Sequence, residues 1–138
     1  MIIKLNDAKQ PVSDPRHIYE MLKGFFKTVD AVDRDKEHFF VFHLDVRNKV
    51  KIMELVSVGT LNMSLVHPRE VFTRAIGRRT ASIILAHNHP SEELEPSRED
   101  LIVTRRLLDA GKLLSIEVLD HVIYTSKGFH SFKEHGDL

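Results

Sequence analysis

The residues best equipped for chemistry fall in one stretch, His87-Asn88-His89-Pro90-Ser91-Glu92-Glu93-Leu94-Glu95-Pro96-Ser97-Arg98-Glu99-Asp100. Side chains alternate along an extended backbone, so His87 and His89 point the same way if they end a strand. Pro90 disfavours helix at His89 and keeps the strand from simply continuing. Asp100 would arrive one turn into a following helix, where its carboxylate can reach back toward the strand end. Two imidazoles and one carboxylate make a three-ligand set for a catalytic zinc, with the fourth position left to water. Ser97-Arg98-Glu99-Asp100 is also the Ser-x-x-acid pattern of a capping box. A lone His-x-His pair on an apolar strand also suits a structural or solvent-facing role. Asp100 as cap and Asp100 as ligand both stay open on the pattern. The joint occurrence of strand end, loop length and acid favours the metal.

The elements that must position these groups follow from periodicity. Ala81-Ser82-Ile83-Ile84-Leu85-Ala86 is a nearly continuous apolar run, as in a strand buried on both faces. It delivers the chain to His87, where open α/β sheets place their ligand crevices. A helix is expected from about Arg98 to Ala110, closed by Gly111. Upstream, residues 1–13 form an arm or short strand. Asp14-Pro15 reads as an N-cap with proline at the first helical position, and apolar residues recur at helical spacing from Ile18 to Val29. Asp30 to Lys36 is expected as a loop. Glu37 opens a β-prone run ending near Leu44, and Arg47-Asn48-Lys49 is a hairpin turn. A returning strand runs from Val50 to Val58, a third extended piece from Leu61 to Val66, and a helix from Pro68 to Ile76 with Gly77 as its stop. Ile116 to Tyr124 gives one more strand or a bent pair, and Phe129 to Phe132 a closing strand. The pattern predicts one α/β domain of the α+β type with a mixed sheet, spanning residues 1–138.

Composition bounds the chemistry. The 138 residues suffice for one domain with its own core. Twenty Lys and Arg balance twenty Asp and Glu, so no net charge draws the chain to nucleic acid or membrane. The absence of cysteine excludes disulfides, thiolate metal sites, iron–sulfur clusters and a cysteine nucleophile, and with them the zinc nucleoside deaminases. Nine histidines in such a chain direct attention to a histidine–carboxylate site. No apolar run is long enough to span a bilayer, and Met1 to Asp7 lacks the features of a signal peptide, so a cytoplasmic location is expected. There is no His-Glu-x-x-His, Gly-x-Ser-x-Gly, Gly-x-Gly-x-x-Gly or phosphate-cradling loop.

The stretch resembles the JAMM (MPN+) metalloprotease signature, His-x-His-Pro, six residues, Ser-x-x-Asp, with every defining position present. The surrounding text resembles the bacterial RadC-like branch, at Glu54 to Asn62, Leu65 to Phe72, Ile83 to Ser91 and Leu119-Asp120-His121-Val122-Ile123. The resemblance covers roughly Glu20 to the C-terminus. It implies a JAB/MPN fold with cytidine-deaminase-like layering, a curved mixed sheet flanked by helices and one zinc per chain. It makes His87, His89 and Asp100 the metal ligands and puts the Ser97 hydroxyl near the reacting water or oxyanion. The upstream glutamate that JAMM enzymes use as general base matches Glu37 best, with Glu54 on the next strand as second choice. The implied activity is hydrolysis of an amide, peptide or isopeptide bond in a peptide or protein substrate. Two departures stand out. Asn88 replaces the Ser or Thr of deubiquitinating JAMM enzymes, so ubiquitin-type substrates are not implied. Glu92-Glu93 replace the Gly-Asp of RadC relatives, removing a residue that takes positive φ cheaply and adding charge beside the metal.

Two rival functions remain. The RadC family name and the arginines Arg69, Arg74, Arg78, Arg79, Arg105 and Arg106 suggest a DNA-repair or DNA-processing factor, against which stands the neutral net charge. A metal-holding MPN scaffold without turnover is the other. Asp120-His121 is expected as a structural turn or buried hydrogen-bonded pair rather than a support for the ligands. His67, before Pro68, is expected as a loop or helix-start residue rather than a ligand, and His17, His38, His43, His130 and His135 as surface or packing residues.

Overall fold

The sheet grows from two hairpin-like pairings and one crossover. In the computed structural model, which describes residues 1–3, 11–59 and 66–138, Glu37–Leu44 (β2) pairs antiparallel with Val50–Gly59 (β3). The turn between them uses Asn48 at φ 60, the left-handed conformation that asparagine tolerates. The other edge of β2 pairs antiparallel with Ser82–Asn88 (β4). From β4 the chain crosses over through a helix, Arg98–Leu114 (α4), and returns parallel to β4 as Glu117–Thr125 (β5). Gly128–Ser131 (β6) folds back on β5, and Ile2–Ile3 (β1) adds to the far edge of β3. The result is one mixed six-stranded sheet in the order β1-β3-β2-β4-β5-β6.

Both faces of the sheet are covered, which is why β2 and β4 are buried almost without alternation. Phe40, Phe42 and Ile84 pack under Pro15–Phe26 (α1), through Ile18, Leu22 and Phe26. Phe39, Val41, Ile83 and Leu85 pack under α4 and Pro68–Gly77 (α3), through Val71, Phe72, Val103 and Leu107. Alternate residues of each strand thus serve opposite layers, a single α+β domain consistent with a JAB/MPN fold. No helix among the described residues is long and apolar enough to cross a membrane.

Four expectations need correction. The stretch from Asp30 to Lys36 holds a short helix, Ala31–Arg34 (α2), because the Asp30 carboxylate accepts the Asp33 N–H as an N-cap. Gly77 is the last residue of α3 rather than its stop, and the left-handed position belongs to Arg79, at φ 54. Gly111 lies inside α4, which runs one turn further to a left-handed Ser115. A Cβ at Gly111 would come within 2.5 Å of the Ile116 carbonyl, so this glycine marks where helix and following strand touch. The helical periodicity extends to Val29, but α1 ends at Phe26. Of the two readings of Ile116 to Tyr124, the structure shows the single strand, Glu117–Thr125, with a bulge. The extended piece from Leu61 lies outside the described residues, except Val66, which is buried beyond any strand.

Candidate metal centre

β4 ends at Asn88, and α4 begins at Arg98 with its N-terminus turned back to that strand end. His87 is fully buried on the face of β4 beneath α4, where its ring lies near Phe39. His89 follows just beyond the strand, and its Nδ1 lies 2.6 Å from the Glu93 carbonyl. A carbonyl can only accept, so Nδ1 carries the hydrogen and neutral His89 turns an Nε2 lone pair to the site. His89 Nε2 is 3.0 Å from His87 Nε2 and 2.9 Å from Asp100 Oδ2, and Asp100 Oδ1 is 3.3 Å from His87 Nε2. One donor atom from each residue thus falls within a 4.8 Å cluster that can hold a metal ion.

Asp100 is the cap, and the same carboxylate also faces both imidazoles. Its Oδ2 accepts the Ser97 N–H at 2.9 Å, while Ser97 Oγ accepts the Asp100 N–H at 3.0 Å, the reciprocal capping box. The cap holds the carboxylate where the two imidazoles converge. Burial raises the pKa of Asp100, but hydrogen bonds to His87 and His89, the charge of His87 and the Ser97 N–H carry it well below the carboxylate range. Burial lowers the pKa of His89, yet Asp100, the Glu93 carbonyl and the charge of Glu37 outweigh it, and the net shift is upward. Three acceptors facing one point call for a cation between them, a proton or a metal.

Glu37 opens β2 and lines the same cleft as His89 and Ser97, a hollow of about 940 Å³. Its place is fixed by Asn88. The Asn88 carbonyl oxygen accepts the His38 N–H at 2.6 Å and its amide donates to the Lys36 carbonyl at 3.0 Å, so one buried side chain grips the backbone on both sides of Glu37. That role for Asn88 was not anticipated. Glu54, the second choice for general base, is committed elsewhere: its carboxylate lies 2.9 Å from His43 Nε2 and 3.1 Å from Arg74 Nε, and His43 Nδ1 meets Thr80. Burial raises the Glu54 pKa, but the His43 and Arg74 contacts prevail and lower it. His43 is thus a packing residue, one of the two roles expected of it, and Arg74 pairs with Glu54.

Glu92 takes φ 68, the conformation a glycine would adopt cheaply, and its Oε2 accepts the Ser126 N–H at 2.8 Å. Glu92 thus holds a left-handed turn and ties it to the end of β5. His130 and His135 line the cleft from the C-terminal side, their rings stacked 4.0 Å apart, with His130 Nε2 3.3 Å from Asp137. His67 caps α3 and accepts the Arg69 N–H. Asp120 and His121 are both buried, but they are not a side-chain pair. Asp120 accepts the His121 and Lys133 N–H groups and the Ser131 hydroxyl, while the His121 ring turns to His87, with its Nε2 2.7 Å from His87 Nδ1.

The model of the RadC-like JAB domain matches residues 12–137. This chain belongs to the RadC-like JAB domain family. Its similar relatives include UPF0758 proteins of Rubrobacter xylanophilus, 48% identical over 133 residues, and of Desulforamulus reducens, 50% identical over 107. A third, from Methanosarcina mazei, is 40% identical over 132 residues. These alignments cover 96%, 78% and 96% of this chain, but 56%, 47% and 56% of the relatives, so the chain spans about half their length. The cluster His87, His89 and Asp100 lies inside the matched RadC-like JAB region.

Proposed function

We propose that this RadC-like JAB domain is a zinc-dependent hydrolase of the JAMM type acting on an amide, peptide or isopeptide bond. The observation that carries the reading is the convergence of His87 Nε2, His89 Nε2 and an Asp100 oxygen at separations of 2.9 to 3.3 Å. Ligands bonded to tetrahedral zinc at about 2.0–2.2 Å stand about 3.3–3.6 Å apart, so a small outward relaxation admits the ion. A cysteine-free set of two imidazoles and one carboxylate suits zinc with an open position.

Bound zinc supplies a water whose pKa falls to about 7. With the ion held by His87, His89 and Asp100, Glu37 on the wall of the cleft would serve as the proton acceptor and donor of the hydrolysis, a role worth about 10²–10⁴-fold. Asn88 keeps the Glu37 backbone in register. The Ser97 Oγ lone pair is engaged by the Asp100 N–H, so its own hydrogen is available to the developing oxyanion. The cleft wall carries Asp35, Glu37, Glu93, Glu95 and Asp137, with no lysine or arginine among its described lining residues. That favours a neutral or cationic peptide segment and opposes a phosphate backbone, which places the DNA-processing reading second.

The test is elemental metal content of chelator-free, untagged protein beside His89→Ala, followed by amide and isopeptide substrates with Glu37→Gln as control. About one zinc per chain, lost in His89→Ala and retained in an inactive Glu37→Gln, supports the hydrolase. Zinc with no turnover on any such substrate supports the scaffold. Protein that stays empty when zinc is supplied overturns the metal reading.

A further inference from the structure

The His87 contact continues into the core. Beyond His87 Nδ1 stands His121 Nε2 at 2.7 Å, beyond His121 Nδ1 stands Thr104 Oγ1 at 2.6 Å, and the Thr104 hydroxyl donates to the Asp100 carbonyl at 2.7 Å. All three side chains are buried to 1% exposure or less. A chain of this kind has two self-consistent proton orders, and only one frees His87 Nε2. A hydroxyl has a single hydrogen and a carbonyl only accepts, so the Thr104–Asp100 bond selects the order. Thr104 then offers a lone pair to His121 Nδ1–H, His121 Nε2 accepts His87 Nδ1–H, and His87 Nε2 is left bare toward His89 and Asp100.

We infer that His121, oriented by Thr104, is the positioning residue that fixes the tautomer of His87 and presents its Nε2 to a metal without a proton. The inference rests on the metal reading above. It adds a residue that touches no metal and sits on a different strand, tied to α4, the helix that also supplies Asp100. A metal-ligating histidine usually leans on a carboxylate or backbone carbonyl. Here a neutral imidazole takes that place, so the support adds no negative charge to the centre.

The bulge in β5 makes this possible. Ile83 pairs with Val118 but Ile84 pairs with Asp120, so Leu119 is an extra residue. Val118 packs under α4 and α3, while Leu119 and Val122 pack under α1. Strict alternation from Val118 would turn His121 to the α1 layer, whereas the inserted residue turns it to His87. The ring is held there by Phe132, stacked at 4.5 Å and 14°.

The experiment uses the whole chain, with histidine nitrogens followed by long-range ¹H–¹⁵N correlation and Co²⁺ affinity measured by chelator competition and visible absorption. Wild type is expected to show His87 and His121 protonated on Nδ1. His121→Phe keeps the ring packing on Phe132 but accepts no hydrogen bond, so Co²⁺ affinity is expected to fall about 10–100-fold with an altered spectrum. His121→Gln supplies an amide oxygen and is expected to recover most of the loss. Thr104→Val is expected to weaken affinity in the same direction, and Thr104→Ser to leave it intact. A purely structural role would make Phe and Gln alike in affinity, and that result overturns the inference. So does a wild type with His87 protonated on Nε2, or metal binding in His121→Phe as tight as wild type. Wild type that takes up no metal defeats the metal reading itself, a result separable from the others because it precedes any substitution.

Discussion

Asp100 is both helix cap and proposed ligand, and two substitutions separate these roles. In Asp100→Asn the amide oxygen can still accept the Ser97 N–H that Asp100 now takes at 2.9 Å, but the negative charge facing His87 and His89 is gone. In Asp100→Ala both are lost. The cap is worth about 1 kcal/mol, so Asp100→Ala should unfold below Asp100→Asn by that amount without metal. For a domain of this size 1 kcal/mol corresponds to about 4 °C in Tm. Free zinc at about 100 times its Kd stabilises the folded state by about 2.7 kcal/mol. Calorimetry should therefore show wild type rising by about 10 °C with zinc, neither variant rising, and the Ala variant about 4 °C under the Asn variant throughout. A zinc shift in Asp100→Asn equal to that of wild type would refute the ligand role and leave Asp100 a cap. Equal baselines for the two variants would refute the cap's contribution.

Other expectations are tied to single contacts. Asn88→Ala orphans the buried His38 N–H, so urea titration should show a loss of about 1–3 kcal/mol, while zinc affinity stays unchanged because no ligand moves. Gly111→Ala should destabilise by about 1–3 kcal/mol, since its Cβ meets the Ile116 carbonyl at 2.5 Å. Gly24→Ala, in α1 with nothing within 4 Å of the new methyl, should stabilise by about 0.5–1 kcal/mol. The folded pKa of Glu54 is lowered from 4.5, so its contribution is present above that value and is lost as pH falls through the folded pKa. Glu54→Gln should accordingly flatten the acid limb of stability against pH below about 4.5, and a limb as steep as that of wild type would count against the His43–Glu54–Arg74 cluster.

Much of this arrangement is legible in the sequence because local signals and long-range needs agree. The apolar run from Ser82, Pro90 after His89 and the Ser97–Asp100 cap each fix one piece, and together they place three donor atoms. Where the reading failed, a tertiary contact overrode a local rule. Gly111 has the look of a helix stop, but close approach to Ile116 explains it. Asn48 and Arg79 show left-handed turns at non-glycine residues, of which only the asparagine is a recognisable signal. Glu54 passed as a candidate base because spacing cannot tell which end of β3 a carboxylate faces, and only the fold shows His43 and Arg74 beside it. His121 was ranked as a structural residue ahead of a support for the ligands, since only the fold shows that the inserted Leu119 turns its ring to His87.

Site and scaffold therefore depend on the same bonds. The hydroxyl that starts α4 accepts the N–H of Asp100, the third proposed ligand, and the Thr104 hydroxyl bonded to that residue's carbonyl meets the imidazole behind His87. Asn88, between the two histidines, points its amide the other way and grips the backbone around Glu37. Alternation assigns this division of labour: residues 87 and 89 face α4, and 88 faces the start of β2. The asparagine that departs from the deubiquitinating pattern is thus a positioning device for the proposed base. It ties the backbone around Glu37 to the end of β4, between His87 and His89.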